Sequence, residues 1–158
     1  MPSHDWLGKW KGELIIYGVT DTLQTLPMEL WVEETDTASM WNWTIIYHGK
    51  NGDDIRKYAL KAMDSTKNGH YQVDERNSIL LDTYLRGNNL SSRFTVNQSL
   101  LLISYTLIPS QKALRFNVTS GSMKAPTSTG EDVLDENIKE ILSYSLNGFQ
   151  EAILYKDE

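Results

Sequence analysis

The stretch from Trp41 to Tyr58, WNWTIIYHGKNGDDIRKY, decides how the chain is read. Two runs rich in aromatic and β-branched residues flank Lys50-Asn51-Gly52. Asn-Gly tolerates the positive φ that a tight hairpin demands, and the flanking residue types suit a pleated surface. Side chains alternate along a strand, so Trp41, Trp43, Ile45 and Tyr47 share one face. On the returning run Lys57 and Lys61 mark the wet face, which sends Arg56, Tyr58, Leu60 and Ala62 to the other. Two facing strands therefore present large, half-polar rings and one guanidinium to the same side.

Working outward, turn residues recur throughout: Asn68-Gly69, Gly87-Asn88-Asn89, Asn97-Gln98 and Pro109-Ser110-Gln111. The segments between them predict strands at about 10–17, 27–33, 40–48, 55–63, 70–74, 78–86, 90–96, 99–108, 113–119 and 143–155. Connections between 40 and 119 are too short for parallel crossovers, so successive strands pair antiparallel. The predicted fold class is all-β: an antiparallel up-and-down meander barrel of 8–10 strands in a single domain over residues 1–158, because closure removes exposed edges. Asp135 as N-cap, with Ile138, Ile141 and Leu142 on one side, predicts a short helix over 135–142, before the last strand.

Charge fixes other faces in the same way. Lys11 and Glu13 turn Trp10, Gly12, Leu14 and Ile16 inward, and Glu29, Trp31 and Glu33 leave Met28, Leu30 and Val32 inside. Phe94, Val96, Leu114, Phe116, Val118, Ala152 and Leu154 are also expected inside. In ILLDTYLR, residues 79–86, both faces carry apolar groups, so Tyr84 is a candidate for either side.

The 158 residues carry a net charge of −6, which disfavours nucleic acid or an anionic membrane surface as partner. No apolar run reaches membrane-spanning length, so no membrane span is expected. There is no cysteine, which excludes disulfides, thiolate metal sites and cysteine nucleophiles. The start, MPSHDWLGKW, lacks the order of a signal peptide, so a cytoplasmic location is expected, with secretion left open.

Catalytic signatures do not emerge. His4, His48 and His70 show no metal-ligand spacing, no Gly-x-Ser-x-Gly occurs, and no phosphate-cradling glycine loop is present. No metal, cofactor or catalytic residue is expected. Arg56 and Tyr58 share a face and could clamp a carboxylate; the alternative pairs Arg56 with Asp53, Asp54 or Asp82 at a barrel mouth. Asp74-Glu75-Arg76-Asn77 reads as a charged hairpin turn or as a polar group at the barrel rim. Trp31, with the Trp6–Trp10 start, could form an exposed apolar patch for a partner, so a homodimer is a further expectation.

The segment LGKWKGEL contains Gly8-Lys9-Trp10, which resembles the Gly-x-Trp opening of the lipocalins and their calycin relatives. The resemblance implies structural roles for Gly8 and Trp10, with Trp10 packed across the closed end of the barrel. It also implies a late helix before a terminal strand. The second lipocalin motif, Thr-Asp-Tyr, is absent. Residues 18–26 are too few for the helical pair of intracellular lipid-binding proteins, and the proline of the nitrobindin-like start is lacking.

The leading functional expectation is a non-enzymatic barrel that binds a small hydrophobic or amphipathic ligand, carboxylate-bearing if Arg56 anchors it. Trp41, Trp43, Tyr47, Arg56, Tyr58 and Tyr84 are the candidate ligand-binding residues. A haem-dependent or isomerase-type barrel enzyme would need an inward histidine. A structural or interaction protein would have its barrel filled by its own side chains.

Overall fold

The computed structural model describes residues 3–63, 68–132, 136–137 and 139–157. Among the described residues, ten strands close a barrel in the order β1-β12-β9-β8-β7-β6-β5-β4-β3-β2, every pair antiparallel. The strands are β1 (Gly8–Tyr17), β2 (Thr22–Glu34), β3 (Met40–Gly49), β4 (Gly52–Ala62), β5 (His70–Asp74), β6 (Leu80–Arg86), β7 (Asn89–Val96), β8 (Ser99–Ile108), β9 (Ala113–Ser122) and β12 (Gly148–Lys156). This is the expected up-and-down meander, with β12 completing the ring between β9 and β1. Closure leaves the described barrel itself without an edge strand.

The tight turns follow from residue chemistry. Gly52, at φ 122°, ends the β3–β4 hairpin. Asn97 and Gln98 both sit at positive φ (48° and 67°) between the paired residues Val96 and Ser99. That two-residue geometry matches the right-handed twist of the flanking strands. Gly12 has a different role. A Cβ there would lie 2.1 Å from the Ile153 carbonyl oxygen, so only glycine lets β1 approach β12 along the closing seam.

The expected helix over 135–142 is corrected in part. Asp135 and Ile138 lie outside the described residues, and Ile141–Ser143 forms strand β11, paired with β10 (Thr127–Thr129) as a separate two-stranded sheet. The last barrel strand accordingly starts at Gly148 rather than 143. The helical signs of Ile141 and Leu142 lose to their pairing with Thr129 and Ser128. Two 3-10 turns lie wholly within the described residues, His4–Trp6 and Pro109–Gln111. No helix among the described residues is long and apolar enough to cross a membrane.

The core occupies one end of the barrel. Trp6, Trp10, Leu30, Leu60, Leu114 and Leu154 are almost wholly buried there. The Trp10 indole N–H donates to the Trp6 carbonyl at 3.0 Å, and the Lys156 ammonium lies 5.0 Å from the Trp10 ring centroid. Burying an indole costs little when its N–H finds a partner. Trp31 lies on the outer face beneath the Lys9 ammonium, and its N–H donates to Glu29 at 3.2 Å. With Trp6 and Trp10 inside and Trp31 covered, the apolar patch behind the homodimer expectation does not form.

Candidate functional site

The opposite half of the barrel is hollow. A cavity of about 590 Å³ lies between the walls, floored by Trp43, Leu90, Tyr105 and Phe116. Its size falls within the several hundred Å³ typical of small-molecule sites. The β1–β2, β3–β4 and β5–β6 turns stand at this end, so the cavity mouth is edged by Gln24, Gly49, Gly52 and Glu75.

Alternation along β3 and β4 builds one wall. Trp43 opposes Tyr58 and Ile45 opposes Arg56 across the ladder, and all four line the cavity with Tyr47. Trp43 meets Tyr105 edge to face at 5.2 Å, and Tyr105 packs on Phe116 at 4.9 Å, forming a rigid aromatic floor. Burial pushes the Tyr105 phenol far above its ordinary range. Burial likewise raises Tyr47 and Tyr58, and the Glu75 charge pushes Tyr58 the same way. These phenols are neutral, hydrogen-bonding wall groups at any ordinary pH.

Two hydroxyls interrupt the opposite wall. Thr83 and Ser92 are buried, line the cavity and lie 2.6 Å apart across β6 and β7. The Thr83 hydroxyl donates to the Leu81 carbonyl at 3.1 Å.

At the mouth, Arg56 Nε and Nη2 both donate to Asp54 Oδ2, at 3.2 and 3.0 Å. Its guanidinium also lies 5.0 Å from the Tyr47 ring centroid. Partial burial works against the Arg56 charge, but the Asp54 hydrogen bond and the nearby phenols hold it above its usual value. Burial raises the Tyr58 phenol, with the Glu75 charge acting the same way and the Arg56 charge against it. Arg56 is thus the ion-paired residue that the alternative reading of the sequence described, with Asp54 as its partner, rather than an unclaimed carboxylate clamp.

Four of the six candidate ligand-binding residues, Trp43, Tyr47, Arg56 and Tyr58, line one cavity. Trp41 does not. It is buried one turn of the alternation further into the packed end, its ring 6.5 Å from Tyr71. Tyr84 points outward, stacked on His70 at 4.9 Å, with the Arg86 guanidinium 5.7 Å from its ring centroid. Thr83, not Tyr84, is the inward residue of that strand. Gly8 and Trp10 lie in the packed half, where Lys156 closes over both.

Thr83 and Ser92 are site residues that the sequence reading did not single out, and Glu75 lines the mouth as the rim alternative for residues 74–77 described. Asp74 and Asn77 shape the Glu75 turn by accepting from the backbone N–H of Arg76 and Ile79, at 2.8 and 3.1 Å. Such Asx turns are the local chemistry of a hairpin end. The turn is also the barrel rim, because the β5–β6 and β3–β4 turns point the same way.

No histidine lines the cavity. His48 is held on the outer face between Glu29 and Asp53, and His70 donates or accepts at 2.8 Å with Asp82. Among the described residues, no group of three or more His, Cys, Asp or Glu side chains could hold a metal.

Fold and cavity together define the class of molecule: a closed, ten-stranded, up-and-down antiparallel barrel, packed at one end and hollow at the other. No protein-family model matches the sequence, and no curated protein is found similar to it.

Proposed function

We propose that the protein binds a small apolar or amphipathic molecule inside the barrel, in the manner of lipocalin-like carriers. The observation that carries this reading is the 590 Å³ cavity with an aromatic and aliphatic wall and its charged groups gathered at one mouth. Removing apolar ligand surface from water into such a wall contributes about 25 cal/mol per Å², and a preformed cavity spares much of the ordering cost. The Gly8-Lys9-Trp10 start and the meander support the lipocalin likeness. A haem enzyme is the weaker reading, because His48 and His70 face outward onto carboxylates.

Trp43 reports on occupancy because its ring forms the cavity floor. Titration with a panel of apolar and amphipathic molecules is expected to give a saturable change in tryptophan emission. Trp43→Phe should remove most of that change while calorimetry still detects binding. A flat calorimetric and optical response across the panel, with the fold intact, overturns the reading.

A further inference from the structure

The charges at the mouth do not balance. Among the described residues, the cavity is lined by two carboxylates, Asp54 and Glu75, and one cation, Arg56. Arg56 Nε and Nη2 already donate to Asp54, and its guanidinium lies over the Tyr47 ring. A ligand carboxylate arriving there would have to displace Asp54 or lie beside it, and beside Glu75, with no second cation lining the cavity among the described residues. Like charges at such distances repel, more strongly where the cavity wall excludes water.

The deeper polar groups lean the same way. A hydroxyl has one hydrogen to give. Thr83 gives its hydrogen to Leu81, so Ser92 must be the donor in the Thr83–Ser92 bond. Both hydrogens are then consumed, and what the pair turns toward the cavity is acceptor capacity. Tyr47 and Tyr105 add phenols that can donate or accept. Charged and committed groups together favour a ligand that brings hydrogen-bond donors and positive charge.

Resting on the proposed binding role, we infer that the barrel takes ligands with a protonated amine at the polar end. The ammonium sits at the mouth against Glu75 and the remaining oxygen of Asp54, Oδ1, and an apolar body reaches the Trp43–Phe116 floor. Glu75 is its main partner, since Asp54 already shares its charge with Arg56.

The test uses three probes with one tail: decylamine, decanol and decanoate, below their micelle concentrations, by calorimetry at neutral pH. Amine affinity is expected to exceed carboxylate affinity by about ten-fold or more. Glu75→Gln should lower amine affinity several-fold and leave decanol unchanged. Arg56→Met, which frees Asp54, should not weaken the amine. Equal or tighter binding of decanoate, or indifference of the amine to Glu75→Gln in a variant with unchanged melting temperature, overturns the inference and leaves the binding role standing. Silence from all three probes overturns both.

Discussion

Val118 projects from β9 into the cavity, opposite Ile103 and Gln150 on the neighbouring strands, and is only partly buried. Val118→Phe therefore separates a hollow barrel from a filled one. In a filled core, the added ring has no place to go, and overpacking costs about 1–3 kcal/mol. For a chain of this length, 1 kcal/mol moves the melting temperature by roughly 2–4 °C, so a filled core implies a fall of about 2–12 °C. A 590 Å³ space changes the sign of the argument, since the phenyl enters empty volume and buries some of its own surface. Each carbon so buried contributes up to about 0.8 kcal/mol. Water retained around the ring and lost rotamer freedom offset part of that gain. The expected change is between zero and a rise of a few degrees, read by differential scanning calorimetry. Ligand affinity should fall at the same time, because the ring occupies the ligand's space. A drop beyond about 4 °C, or undiminished binding by a stable variant, would refute the hollow upper half.

Further tests address the frame and its charges. Gly12→Ala drives a Cβ into the Ile153 carbonyl at the closing seam, and should cost about 2–4 kcal/mol, seen as a lower urea midpoint. Trp10→Ala removes an almost fully buried ring and its bond to Trp6, with an expected loss of about 3–5 kcal/mol at equilibrium unfolding. His48 is raised above its ordinary 6.5 by hydrogen bonds to Glu29 and then Asp53. Partial burial works against the Glu29 charge, yet the bonds from His48 and Trp31 hold it below its ordinary 4.5. The His48 contribution is therefore full below 6.5 and lost as pH rises through the folded value; that of Glu29 is present above 4.5 and lost as pH falls through its own. The stability gap between wild type and His48→Gln should be widest between pH 4.5 and 6.5 and narrow on either side; a gap that grows above pH 8 contradicts the pairing.

Most of the barrel was legible because alternation and turn chemistry are local. Lys57 and Lys61 mark the outer face of β4, and that alone placed Arg56 and Tyr58 inside beside Trp43 and Tyr47. Height along the barrel axis was not legible. Trp41 and Trp43 share a face, but the register of β2, β3 and β4 decides which ring reaches the cavity and which stays in the packed end. Tyr84 fails for another reason. Leu80, Leu81, Tyr84 and Leu85 put apolar mass on both faces of β6, and the tie is broken by partners distant in sequence: Ser92 for Thr83 and His70 for Tyr84. Glu75 could be read as a plain turn residue or as a rim residue, because a turn with Asx bonds looks alike whether it faces bulk water or a ligand mouth. Only the pairing of the β1–β2, β3–β4, β5–β6 and β7–β8 hairpins, with their turns at one end, shows which turns form a rim. The β10–β11 pair was missed because strands of three residues carry too little periodicity to outweigh the helical signs around Ile141.

The central claim is that the open half of the cylinder accommodates a guest molecule. Native mass spectrometry tests it most directly, on protein purified from its own host and again after incubation with the decyl probes. The account predicts a one-to-one adduct that dissociates on gentle activation and is diminished by Val118→Phe. A bare mass in both preparations, from protein that still melts cooperatively, would contradict it.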